Sequence, residues 1–82
     1  MIVRLWEREG QISVLERSEA ELERARLLGG EAFDVLLERP GPAPRKAAEA
    51  LLHASRREVS LEADPKAWGE VELARRRVTK VL

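Results

Sequence analysis

Apolar residues recur along this 82-residue chain with two periods, and the switches between period two and period three-to-four mark its elements. Met1 to Trp6 alternates, with Val3 and Leu5 on one side and Ile2, Arg4 and Trp6 on the other. Gln11 to Leu15 alternates again, Ile12 and Val14 against Ser13 and Leu15. The intervening Glu7-Arg8-Glu9-Gly10 is polar and ends in a glycine, so the two runs predict an N-terminal hairpin. At Ser18 the period changes. Glu21 follows three residues later, the spacing of a capping box, and Leu22, Ala25 and then Leu28 or Gly29 recur at helical intervals. Gly29-Gly30 should end that helix, because glycine accepts the left-handed backbone that closes one. From Ala32 the chain alternates once more. Phe33, Val35 and Leu37 then share the buried face of a third strand.

Three prolines between Pro40 and Pro44 make a stiff connector, and Pro44 suits a first helical position. A helix follows to about Ser55, its inner face Ala47, Ala48, Leu51, Leu52 and Ser55, with Arg56 and Arg57 complementing the dipole at its end. Glu58 to Ala63 alternates strictly, Val59, Leu61 and Ala63 inward, and predicts a fourth strand. Asp64-Pro65 reads as the cap and first residue of a last helix. Ala67, Val71, Ala74, Val78 and Val81 or Leu82 carry its spacing to the end. Val71 and Leu73 also alternate with Glu70 and Glu72, so a strand over Glu70 to Ala74 competes with that helix. The expected class is mixed α/β, α+β in arrangement. It is one domain over residues 1–82, a small single-layer sheet with an N-terminal hairpin, order β-β-α-β-α-β-α, and helices on one face.

Composition narrows the partners. A chain this short buries about 60 to 65 per cent of its unfolded surface, so its core is thin and a second copy is a common supplement. With no cysteine and one histidine, neither a disulfide nor a closed metal site is expected to supply the support, and the lack of cysteine fits a reducing, cytoplasmic setting. The leading apolar run is cut at once by Arg4, Glu7, Arg8 and Glu9, which argues against a membrane span. The fifteen basic and fifteen acidic residues cancel, yet residues 1–38 hold five basic against nine acidic groups and residues 39–82 ten against six. The halves are therefore minus four and plus four. Such asymmetry fits complementary surfaces of a fold or dimer, or a polyanion site. The high charged content, with a single Gln and no Asn, is thermophile-like.

Chemistry finds little to stand on. His53 has no serine or carboxylate beyond Glu49 within one helical turn, no Gly-x-Ser-x-Gly occurs, and phosphate-loop fingerprints are absent. Only Asp34, Glu62 and Asp64 sit where strand ends could converge on a metal, the weaker expectation of a metal-dependent hydrolase. Arg75, Arg76, Arg77 and Lys80 form the one cluster suited to a phosphate backbone, without the aromatic residues that accompany single-stranded RNA recognition.

Leu22, Leu27, Leu28, Gly29 and Phe33-Asp34-Val35 together resemble the helix, glycine and strand portion of AbrB-type swapped-hairpin antitoxins, whose dimers bind DNA. The likeness spans about a quarter of the chain, which lacks the family's Ile-Pro before the helix and Gly-Asp before the strand. The expectation is therefore a non-enzymatic, cytoplasmic interaction or regulatory module without cofactor, a homodimer or partner-docking protein anchored by Trp6, Trp68, Val71, Val78 and Leu82. A nucleic-acid-binding regulator using Arg75, Arg76, Arg77 and Lys80 is the alternative.

Overall fold

A computed structural model describes residues 1–16, 18–57 and 64–81. The hairpin forms from β1 (Ile2–Arg8) and β2 (Gln11–Val14), with Arg8 opposite Gln11. Its turn is therefore only Glu9-Gly10, shorter than the polar run suggests. Both residues take positive φ, 54° and 79°, which gives the turn the twist that right-handed strands require. Helix α1 (Glu19–Leu28) starts where its cap predicts, and the Ser18 hydroxyl accepts from the Glu21 amide at 3.1 Å. The reciprocal half of the capping box is replaced. The Ser18 amide donates to the Glu16 carbonyl.

Strand β3 (Glu31–Leu36) lies beside β1, antiparallel, with Val3 opposite Val35, Leu5 opposite Phe33 and Trp6 opposite Ala32. Met1 and Leu37 exchange two further hydrogen bonds that lengthen this ladder by a step. Because β2 and β3 both run against β1, they are parallel to each other, and α1 is the helix that carries the chain across β1 between them.

Helices α2 (Pro44–Arg56) and α3 (Pro65–Arg77) follow, then a short β4 (Val78–Lys80), antiparallel to β3. The sheet order is β2-β1-β3-β4. The class and the N-terminal hairpin agree with the sequence expectation. The end of the chain differs. The helix stops at Arg77 instead of continuing, and Val78 is extended. Val78, four residues beyond Ala74, satisfies helical spacing, but the β-branched run Val78, Thr79 and Val81 fits equally well onto the open edge of β3, and pairing decides. Glu70 to Ala74, the competing strand, is helical. The strand expected over Glu58–Ala63 lies outside the described residues.

Partners across an antiparallel ladder share a face, so the sheet has a Leu5 face and a Trp6 face. On the Leu5 face, Val3, Leu5, Phe33, Val35 and Leu37 meet Ala48 and Leu52 of α2, the predicted inner positions, and all are buried. Fully burying Leu5 and Leu52 contributes about 1.5–3 kcal/mol each. Helix α3 packs on α2 through Val71 and Ala74. Opposite, α1 covers one end of the Trp6 face, where Leu22 and Ala25 pack with Leu15, Ala32, Trp6 and Val81.

The return from α1 to β3 is tight. Gly30 has φ 95°, and a methyl group there would overlap the Glu7 carbonyl oxygen and the Trp6 indole nitrogen. Gly29 also has positive φ but faces open space. Gly30→Ala should therefore cost about 2–5 kcal/mol and Gly29→Ala about 1–2 kcal/mol, from strain plus overlap against strain alone. Urea unfolding of the two variants checks this; equal losses would mean that the close approach is absent.

Candidate protein-interaction surface

The Trp6 face is covered over only part of its length. Toward the start of β1, Ile2 and Leu36 form a cross-strand pair and remain 42% and 46% exposed. Between this pair and the α1-covered end lies Arg4–Asp34, paired across the same two strands. The guanidinium donates from Nε to Oδ1 at 2.7 Å and from Nη2 to Oδ2 at 3.0 Å, the bidentate fork that matches two planar groups. That hydrogen bond raises the Arg4 pKa above its ordinary value, with burial opposing it and the Asp34 charge adding to it. Arg4 is charged at any working pH.

Two hollows flank Leu36. One, of about 250 Å³, lies on the Trp6 face between Ile2, Asp34, Leu36, Thr79, Arg76 and Arg77. The other, of about 570 Å³, has Leu36, Leu37, Ala47, Ala50, Leu51 and Ala54 in its walls, with Glu38, Arg39 and Arg77 as its charged groups. Arg77 lines both. Its Nη2 lies 3.5 Å from Glu38 and its Nε is enclosed without a hydrogen-bond partner. This end of the molecule thus combines exposed leucine and isoleucine with guanidinium groups.

The sequence-predicted anchors scatter. Trp6 is half-buried, packed beneath α1, and its Nε1 donates to the Gly29 carbonyl at 3.0 Å. Val71 is buried and Val78 packs against the main core. Helical spacing marks a residue as facing something, and here the something is mostly this chain's own α2 and sheet. Trp68 is half-buried with its indole nitrogen enclosed and unpartnered. Leu82 lies outside the described residues. Ile2 and Leu36, the exposed pair, went unmarked in the sequence because each reads as the solvent phase of an alternating strand.

Each member of the basic cluster has a partner in its own chain. Arg75 Nε donates to the Ser55 carbonyl at 3.2 Å, Arg76 lies 3.9 Å from Glu72, Arg77 pairs with Glu38, and Lys80 Nζ lies 3.5 Å from Glu31. Arg56 does more than complement a helix end. It pairs with Glu7, reaches Glu31 at 3.6 Å and covers the Phe33 ring at 4.8 Å. Glu7 and Glu31 stand directly opposite each other in the ladder, a like-charge pair that strands disfavour, and Arg56 bridges them.

Among the described residues no three His, Cys, Asp or Glu side chains gather to hold a metal, and no helix is long and apolar enough to cross a membrane. His53 is exposed on α2. Asp34 is spent on Arg4 and Asp64 caps α3 through the Lys66 amide at 3.0 Å. No family model, curated protein or solved structure matches the chain. The likeness to AbrB-type antitoxins therefore gains no support, and geometry carries the functional reading alone.

Asp34→Ala leaves a half-buried guanidinium without its fork and should lower stability by about 1.5–3 kcal/mol in urea unfolding. A group whose pKa is raised on folding contributes below its unfolded value and loses that contribution only as pH rises through the folded one. The Arg4 contribution should therefore stay constant from about pH 7 to about pH 10. A stability difference between the parent and Asp34→Ala that shrinks within this window would contradict the pairing.

Proposed function

We propose that this chain is a non-enzymatic, cytoplasmic interaction module that associates with a further copy of itself through the uncovered half of the Trp6 face. The observation that carries the reading is the exposed Ile2–Leu36 pair between two hollows. Contiguous apolar side chains beside hollows and rimmed by polar groups are the form that association surfaces take. The thin core points the same way, since a chain without cysteine has no disulfide to reinforce it.

Sedimentation equilibrium over about 1–200 µM, a span suited to Kd values in the micromolar range, tests the proposal. The parent chain should sediment above monomer mass, and Leu36→Lys, with an unchanged circular dichroism spectrum, as a monomer. A parent chain that stays monomeric throughout, and that binds mixed DNA at low salt until Arg75, Arg76, Arg77 and Lys80 are reversed in charge, would replace this reading with the nucleic-acid one.

A further inference from the structure

The Trp6 face is a ridge beside a trough. Helix α1 rises over the end of the sheet that holds Trp6 and Ala32, and the end that holds Ile2 and Leu36 is left low. A two-fold axis lying in the plane of such a face, at right angles to the line joining its two ends, exchanges them, so the ridge of each copy falls over the trough of the other. Such a dimer requires that ridge and trough match.

They do in both apolar content and charge. With Leu22 and Ala25 turned to the sheet, Ala20, Glu23 and Leu27 point away from it and Glu19 and Arg24 lie to either flank, Glu19, Glu23 and Leu27 being spaced four apart along one line of the helix. Leu27 is 81% exposed, the highest value among the large apolar side chains of the described residues. A leucine so placed contributes nothing to its own chain's core. The trough offers Leu36 as an apolar counterpart, and Arg76 and Arg77 stand at its side, opposite in sign to Glu19 and Glu23. The competing pairs within the chain are weak: Glu23 lies 3.5 Å from Arg26 and Arg76 lies 3.9 Å from Glu72, all four side chains more than half exposed. Exposed pairs of this kind contribute little and exchange readily.

We infer that the trough is filled by α1 of a second copy, Leu27 seated against Leu36 and the Glu19–Glu23 line facing Arg76 and Arg77, reciprocally across a two-fold axis. This inference rests on the self-association proposed above and specifies its geometry. The two sheets then face each other across a layer made by two α1 helices, and the acidic first half of one chain meets the basic second half of the other.

The chain has no cysteine, so crosslinking reads the arrangement directly. In a Leu27→Cys and Leu36→Cys double variant, a short bis-maleimide should trap dimers efficiently, because residue 27 of each copy meets residue 36 of the other. Either single variant should crosslink far less, since identical positions lie on opposite sides of the axis. Glu23→Arg should weaken association about tenfold, and adding Arg76→Glu should restore it. Leu27 and Glu23 are exposed, so these changes leave the fold intact. A parent chain that dimerises in sedimentation while the double variant crosslinks no better than the singles would overturn the ridge-in-trough geometry and leave self-association standing. A monomeric parent would remove both.

Discussion

Strand β1 is bounded on both edges, by β2 and by β3, and so both of its faces must be dealt with by something other than further strands. The chain meets that constraint unequally. Helices α2 and α3 seal the Leu5 face, with Ala48 and Leu52 fully enclosed. On the opposite face a ten-residue α1 is about 15 Å long at 1.5 Å per residue and covers one end only. The other architectural features answer to this asymmetry: the crossover from β2 to β3, the close passage of Gly30 under the Trp6 indole, and the Arg4–Asp34 fork that stands where the covered half of the face gives way to the open half.

Charge is arranged on the same frame. Arg4–Asp34 occupies the middle of the Trp6 face, where two strands would otherwise present unlike charges to a partly dry surface, and the fork satisfies both. On the Leu5 face the ladder sets Glu7 against Glu31, and Arg56 comes from the end of α2 to bridge them while lying over Phe33. A single arginine thereby ties the C-terminal end of α2 to both strands. Arg45 does a related task at the other end of the helix, donating to the Ile12 carbonyl on edge strand β2 at 3.1 Å and occupying an acceptor that an unrelated strand would otherwise seek.

Much of this fold was legible because local signals agree with one another. Ser18 and Glu21, Gly29-Gly30, Pro44 and Asp64-Pro65 each place a helix boundary by backbone chemistry that tertiary contacts do not override. Phe33, Val35 and Leu37 alternate into the core as their pattern says. The C-terminal strand was not legible. Val71, Ala74 and Val78 satisfy helical spacing, and what ends the helix at Arg77 is the vacant edge of β3, which is information about another part of the chain. The exposed Ile2–Leu36 pair was hidden for a similar reason. Tryptophans and buried valines look like anchors in a sequence, but Trp6 is held under α1 and Val71 under α2, whereas Ile2 and Leu36 become conspicuous only once α1 is seen to stop short of them.

The central claim is that the open half of the Trp6 face is covered in solution by another copy's α1. Hydroxyl-radical footprinting at increasing protein concentration reports on that directly, because leucine and isoleucine side chains are labelled according to their access to solvent. Leu27, Ile2 and Leu36 should become protected together as concentration rises, while Leu73, also exposed but on α3, stays reactive. Labelling of Leu27 and Leu36 that is as strong at high concentration as at low would contradict it.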